Sequence, residues 1–452
     1  MLRFIKSLKE PGSLKVLIFH TSWAFTLTSG LSYAMGLFRD RIFAHTFGLS
    51  RTLDIYNSAF AIPDMAFAVL LDTALAAAFI PIFAKLYDQE KEKAYAYARQ
   101  MFTWGVTLMA IVGFIIALTL PFYAHRLVPG FSPEETKQYI LLTRILLLSP
   151  ILFTLSNTFG RMLISLKEFF WFGLSPALYN LGLVVGALWF APHFGITGLI
   201  FGDLLGVLMH FGIRFGMALR REKTFRVKPD LTLSPEIKET AKLAPPRMVQ
   251  QIMWHVMLLG FTTIASGLPE GSVVAYNLAR NFQGVPVSLL GIAIALAAAP
   301  SLAHDAGHGN FVKFRQDFRR NRIRSLVYTT LAAVALALVA KTAIGILFGG
   351  GRFGSTQVEL LSSVLVVFCF SVPLESLMNL YQQAYYALKN TWIPSLMGIC
   401  GIIIAITTAK TLAPTVGIYA IPIGFTLGLG IEVILLSSIF PFLLKKKENL
   451  RI

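Results

Sequence analysis

Long apolar runs broken by short polar connectors set the pattern of the chain, at roughly 16–38, 53–84, 101–123, 139–166, 171–191, 195–218, 243–266, 272–302, 325–348, 358–388, 391–412 and 416–444. Crossing hydrocarbon takes about 20 apolar residues of helix, so these runs predict about twelve transmembrane helices. A membrane-spanning β-barrel would instead show alternating segments of about ten residues, and nothing in the chain alternates in that way. The first run reads as a permanent helix: it is long, turns polar at its end, and no small-residue cleavage pattern follows it.

The two halves echo each other at an offset of about 220 residues, the weak internal symmetry of a transporter fold. "YNSAF" (56–60) pairs with "YNLAR" (276–280), "LLDTALAAAFIP" (70–81) with "LLGIAIALAAAP" (289–300), and "SLKEFFW" (165–171) with "ALKNTW" (387–392). Both halves place a basic connector after their second helix, which makes the repeats parallel. The expected fold class is an all-α polytopic membrane protein. It has two six-helix lobes related by a pseudo-two-fold axis along the membrane normal. The N-terminal lobe covers 1–222, a cytoplasmic linker 223–242 and the C-terminal lobe 243–452, with substrate passing between the lobes.

Composition agrees, at 55% hydrophobic and 14% charged residues. The net charge of +17 would suggest nucleic acid in a soluble protein, but no basic patch lies on a soluble domain, which excludes that partner. Basic residues collect at the N-terminus (Arg3, Lys6, Lys9, Lys15), in connectors 85–99, 219–242 and 304–324, and in the tail (Lys445, Lys446, Lys447, Arg451). Every second connector is basic, so both termini are expected in the cytoplasm. "KFRQDFRRNRIRS" (313–325) reads as a surface segment touching anionic membrane lipids, or as a topology signal alone. Cys369 and Cys400 sit in apolar runs as small hydrophobes, implying neither a disulfide nor a metal site.

Short motifs offer little chemistry. "GGGRFG" (349–354) fits a dinucleotide fingerprint only as letters: it ends a spanning helix and lacks the flanking strand, and a phosphate loop would need Lys where Ser355 stands. A glycine-rich turn explains it. "HDAGH" (304–308) offers two imidazoles at roughly helical spacing, but its place at a helix end favours a solvated cap over a metal pair. No bond-breaking constellation is present, so no enzyme and no cofactor are expected.

The informative residues are charges at membrane depth, where an ionisable group is costly and marks function. They are Arg39, Asp40, Asp54, Asp64, Asp72, Arg144, Arg161, Asp203, Arg247, Arg280, Glu375 and Glu432. Arg39 and Arg280 rank first, being in the first and second helices of opposite lobes. Arg144, Arg161, Asp203 and Glu432 lie near helix ends or polar neighbours. Asp54 and Asp72 would share one face of an unbroken helix, about five turns apart. Pro63 is expected to kink that helix.

At these residues the sequence resembles the MurJ/MviN lipid II flippase family, within the multidrug, oligosaccharidyl-lipid and polysaccharide exporter superfamily. "GLFRDRIFAHTFGLSRTLDIYNSAFAIPD" followed by "AFIPIF" is similar to the family's opening signature, and "LPEGSVVAYNLARNFQGVPVSLLGIAIALAAAPSL" (268–302) to its second-lobe signature. "ILFGGGRF" (346–353) and "YQQAYYALKNTWIP" (381–394) match later stretches. The resemblance runs from about residue 25 to 440 and implies a cationic cavity for a pyrophosphate-linked lipid. It assigns Arg39 and Arg280 to substrate and makes Asp54 the acidic partner of the first-helix arginine; independently of it, acids at membrane depth make Asp54, Asp64 and Asp72 candidates for gating or ion coupling. The sequence departs from the family where Phe67 and Ala68 replace an arginine pair, Asp64 an asparagine, Tyr33 an arginine and Ala279 an acid. Members often have about fourteen helices against the twelve expected here.

The function expected is export of the undecaprenyl-pyrophosphate-linked peptidoglycan precursor across the bacterial inner membrane by alternating access. The membrane potential or a coupling cation would drive it. Rival readings are a flippase for another polyprenyl-linked oligosaccharide, a cation-coupled drug exporter of the same superfamily, and a non-transporting scaffold that recruits cell-wall enzymes through its basic loops.

Overall fold

A computed structural model describes residues 22–72 and 75–449. The basic positions Arg3, Lys6, Lys9, Lys15 and Arg451, the start of the first run, and the Arg247 side chain lie outside the described residues. Among the described residues the chain is helical and has no strand; one isolated bridge pairs Gly350 with Phe353. That bridge folds "GGGRFG" into a tight turn between the helices Phe311–Phe348 and Ser355–Cys369, with Gly350 and Gly351 at positive φ. Only glycine adopts such angles at little cost.

The protein is a multi-pass membrane protein. Seven described helices are long and apolar enough to cross a membrane, or eight if Ser355–Cys369 and Ser371–Ala387, bent by 41°, form one span. The remaining runs fall on Ser22–Phe47, Arg51–Phe67 and Pro245–Ser266, where polar or charged residues such as Arg39, Asp40, Asp54 and His255 interrupt the apolar stretch.

The second helix of each half is broken in the same manner. Arg51–Phe67 passes into π turns at Ala68–Asp72 and Leu75–Phe79 before Ile80–Gln89, and Ser272–Pro286 passes through a π turn at Val287–Ile292 into Ala293–Gly307. Pro63 lies inside the α-helical part, and the break falls five or more residues later. Wider turns of this kind concentrate at functional sites. They also remove the unbroken helix on which the shared face of Asp54 and Asp72 depended.

The repeat extends to the backbone. Among the described residues the two non-glycine residues at positive φ are Lys167 and Lys389, and the turns closing the last helix pair of each half use Gly195 and Gly417 at φ near 60°. Each pair is 222 positions apart (389 less 167, 417 less 195). Those last helix pairs close through glycines. A Cβ on Gly182 would come within 2.2 Å of the Gly206 Cα, and one on Gly202 within 2.4 Å of the Gly186 Cα. In the other half, a Cβ on Gly428 would sit 2.4 Å from the Gly401 carbonyl oxygen. Small residues every fourth position let helices approach where burial from water cannot drive association.

Contacts divide the chain into two compact units, one of Met1–Thr46, Ile55–His125 and Ser132–Ile252, the other of Phe47–Asp54, Arg126–Phe131 and Met253–Ile452. This division differs from the lobes expected from the runs: two short early segments fold with the second unit, and its boundary falls ten residues after the linker. The first unit has an aromatic core around Phe79, Tyr95, Tyr97, Phe159 and Phe225, and the second around Phe314, Phe318, Tyr385 and Phe440.

The linker is fastened to the first unit. Gln100 donates to Asp230 at 3.0 Å, the Asp230 amide donates to Thr103 at 3.1 Å, Tyr97 and Thr240 share a hydrogen bond at 2.8 Å, and Phe225 is buried among the aromatics. Ser234 caps the short helix Pro235–Leu243.

Gly202→Val is expected to overpack the glycine interface and destabilise the protein by about 1–3 kcal/mol or more. Gly212→Ala on the same helix, where an added Cβ meets nothing within 4 Å, should be near neutral. Thermal unfolding in detergent compares the two.

Candidate functional site

Prolines inside apolar helices shape the first unit's polar interior. Proline has no N–H, so the carbonyl four residues earlier loses its helical partner, and in hydrocarbon that oxygen must find another donor. Pro121 frees Ala117, whose carbonyl accepts from Arg144 Nε at 2.9 Å. Pro176 frees Phe172, whose carbonyl accepts from the Ser175 hydroxyl at 2.8 Å and from Arg214 at 3.4 Å. Arg214 is buried, also donating to Asn157 at 2.6 Å and Ser175 at 2.7 Å, and lies 4.4 Å from the Phe172 ring. Arg144 and Arg214 therefore tie helices together.

Arg39 sits on Ser22–Phe47 and donates from Nε and Nη2 to Asp40 at 2.8 and 2.6 Å, and from Nη1 to Asn180 at 2.8 Å. Both charged side chains are partly buried. Asn180 is oriented by its own bond to the Pro176 carbonyl. The first predicted arginine thus carries a carboxylate and an amide as partners.

A cavity of about 300 Å³ opens inside the same unit. Asp64 and Asp203 both line it, with Arg214, Tyr179, Ser149, Asn157 and His210. Asp203 has no exposed surface and accepts hydrogen bonds from Tyr179 at 2.7 Å and from Ser149. Neither acid has a Lys or Arg partner among the described residues. Arg214, in the same lining, is turned to Asn157 and Ser175. Phe67, one of the positions where the family carries arginine, lines the apolar wall.

Asp72 pairs with Arg161 across 3.4 Å, with 41% of its side chain exposed, which makes a weak ion pair. Asp54 is placed differently: it belongs to the second unit, with no exposed surface. Its carboxylate accepts the Gly271 amide at 2.7 Å and the Val274 amide at 3.0 Å. These are N-terminal donors of the helix Ser272–Pro286, whose N-cap residue, Gly271, has no side chain to cap it. A carboxylate satisfies those orphan donors and complements the helix dipole. Gly271 must be glycine, because its φ is 83° and a Cβ would lie 2.6 Å from the Leu49 Cβ. Arg51 approaches Asp54 at 3.7 Å and stacks 5.2 Å from the Phe131 ring.

Arg280, on Ser272–Pro286, is the second unit's predicted arginine. Its Nη2 donates to Glu375 at 2.8 Å and its Nη1 bonds Gln283, while the guanidinium lies 5.3 Å from the Trp254 ring and 4.9 Å from the Phe425 ring. Gln283 is fully buried and donates to Glu375 and Ser371, each at 3.0 Å. Glu432 is buried on Ala420–Asn449, where Gly398 and Gly401 leave room for its carboxylate. Of the residues predicted from sequence, the first unit gathers Asp64 and Asp203 in one cavity. Arg39 and Arg280 lie in separate units, each in an arginine, acid and amide group. Sequence reasoning missed Asn180, Gln283, Tyr179 and Ser149, and their signal was a neutral polar residue inside an apolar run.

Asp54→Ala is expected to cost about 2 kcal/mol, since it orphans two buried amides, and Asp54→Asn about half as much. Thermal melts of the two variants measure both.

Comparison with known proteins gives a consistent picture. The family model described as lipid II flippase MurJ matches residues 43–449. A probable lipid II flippase of Rhizobium tropici is 26% identical over 402 residues, covering 84% of this chain and 72% of that one. A solved structure of the lipid II flippase MurJ in an inward closed conformation superposes with a TM-score of 0.77 at 19% identity, covering 93% of this chain and 87% of that one. An inward-facing multidrug resistance transporter of the MATE family, in the MOP superfamily, superposes with a TM-score of 0.73 at 15% identity over 99% of both chains.

Proposed function

The chain belongs to the lipid II flippase MurJ family, and from that premise we propose that it moves the undecaprenyl-pyrophosphate-linked peptidoglycan precursor from the inner to the outer leaflet by alternating access. The family is one of transporters and not of enzymes. The observation that carries the proposal is the family match over residues 43–449, nearly the whole chain. The membrane is the bacterial inner membrane, with both termini in the cytoplasm and the basic connectors on that side.

A pyrophosphate cannot enter hydrocarbon without countercharge, and guanidinium meets it with paired hydrogen bonds. Arg39 and Arg280 supply that charge in this reading, with Asp54 gating through the helix it caps. With the cell interior negative, outward movement of two negative charges gains around 4.6 kcal/mol per 100 mV. A coupling cation or proton is the second source of drive. Its place in this reading is the cavity holding Asp64 and Asp203, where Arg214 is bonded to Asn157 and Ser175 and not to either acid. Asp72, held by Arg161, is the weaker candidate.

In a bacterium depleted of its own lipid II flippase, the protein is expected to restore survival and to make lipid II accessible at the outer leaflet. Stable insertion with lipid II retained inside would overturn the assignment. Arg39→Gln and Arg280→Gln should each abolish rescue; indifference to both would favour a drug exporter. Asp64→Asn with Asp203→Asn should leave lipid binding intact while removing the dependence of transport on sodium or on a proton gradient, read in vesicles with an imposed ion gradient. If that dependence survives, the coupling site lies elsewhere.

A further inference from the structure

Arg280 is less fully engaged than its surroundings suggest. Its guanidinium is flanked by two aromatic rings and only 15% of its side chain is exposed. A guanidinium presents five N–H donors, and its strongest partners take two parallel bonds along one edge. Glu375 takes one: Oε1 accepts from Nη2 at 2.8 Å, while Oε2 turns away to accept from Gln283 at 3.0 Å. The neighbouring Nε–H, on the same edge, is buried and has no hydrogen-bond partner. A buried donor left open is costly, and here it lies beside a monodentate carboxylate bond that a better acceptor can replace. Gln283, itself without exposed surface and anchored to Ser371, donates to the other Glu375 oxygen, so the acid keeps one hydrogen-bonding neighbour when Arg280 leaves it.

We propose that Glu375 is a built-in counter-anion for Arg280, occupying the guanidinium between transport cycles and yielding to an anionic group that can take the Nε and Nη2 edge as a pair. This rests on the reading of the chain as a flippase of a pyrophosphate lipid. Glu375 is then a specificity-determining residue: it keeps the buried arginine charge matched in the empty protein, and it sets how strongly an anion must bid for that arginine. A phosphate or pyrophosphate group, with adjacent oxygens, displaces it; a ligand with a single acceptor does not. The same competition promotes release, because Glu375 recaptures Arg280 as the headgroup leaves. Arg39 with Asp40 and Asn180 has similar chemistry in the first unit, but there the acid already takes both Nε and Nη2, so the open edge is particular to Arg280.

The test uses the full chain in nanodiscs of zwitterionic lipid, titrated with undecaprenyl pyrophosphate. Glu375→Gln should bind the probe about tenfold tighter than the parent protein, the scale of a released charge pair. It should also turn over more slowly in vesicles, because release is no longer assisted. Arg280→Gln should bind weakly, and adding Glu375→Gln to it should give no tightening. Equal or weaker binding by a folded Glu375→Gln protein overturns the inference, as does tightening that persists without Arg280. Should Glu375→Gln fail to fold, Glu375→Asp, one methylene shorter, should tighten binding part-way, and unchanged affinity in it counts equally against the idea. Failure of the parent protein itself to bind the probe would instead refute the flippase reading.

Discussion

A charge or an unpaired backbone group inside hydrocarbon must find its partner within the protein, and this constraint organises the molecule. It decides where Arg144 goes, because Pro121 leaves the Ala117 carbonyl without its helical donor. It decides where Arg214 goes, since Pro176 does the same to Phe172. It places Asp54 on the amides of Gly271 and Val274, at a helix start that cannot cap itself. Charges that look equivalent in an apolar run therefore divide into two kinds. Some are used by the fold, and a few retain capacity for a ligand.

That second kind is small. Arg280 keeps an open Nε–H beside a Glu375 that bonds it through one oxygen, and Asp64 and Asp203 share a cavity in which Arg214, the cation of the lining, is bonded to Asn157 and Ser175 instead. Under the proposed function the first would meet an anionic headgroup and the second a proton or metal cation. Both belong to units that are separately compact, each closed by glycine-packed helix pairs and each containing a second helix broken by π turns. The two halves share backbone features down to the strained Lys167 and Lys389, while their buried charges differ.

Much of this was legible in the amino-acid order. The length and spacing of the apolar runs determine a multi-pass helical protein, because hydrocarbon thickness fixes how many apolar residues a helix must have. The repeat, the depth of Arg39, Arg280, Asp54 and Asp64, and the family resemblance are also properties of the order alone. Prolines mark in advance which carbonyls will lack a donor.

What the order left open is which side chain answers each need. Arg39 meets Asn180 and Arg280 meets Glu375 across separations of 141 and 95 residues, and no local pattern specifies either. Asp54 and Asp72 lie on the same broken helix, yet one caps a helix in the second unit and the other pairs weakly with Arg161 in the first. Helix packing alone decided these pairings, because a buried charge is satisfied by whatever donor or acceptor the tertiary fold brings within about 3 Å of it. The sequence by itself determined that such charges exist at membrane depth; the fold determined which partner each of them meets.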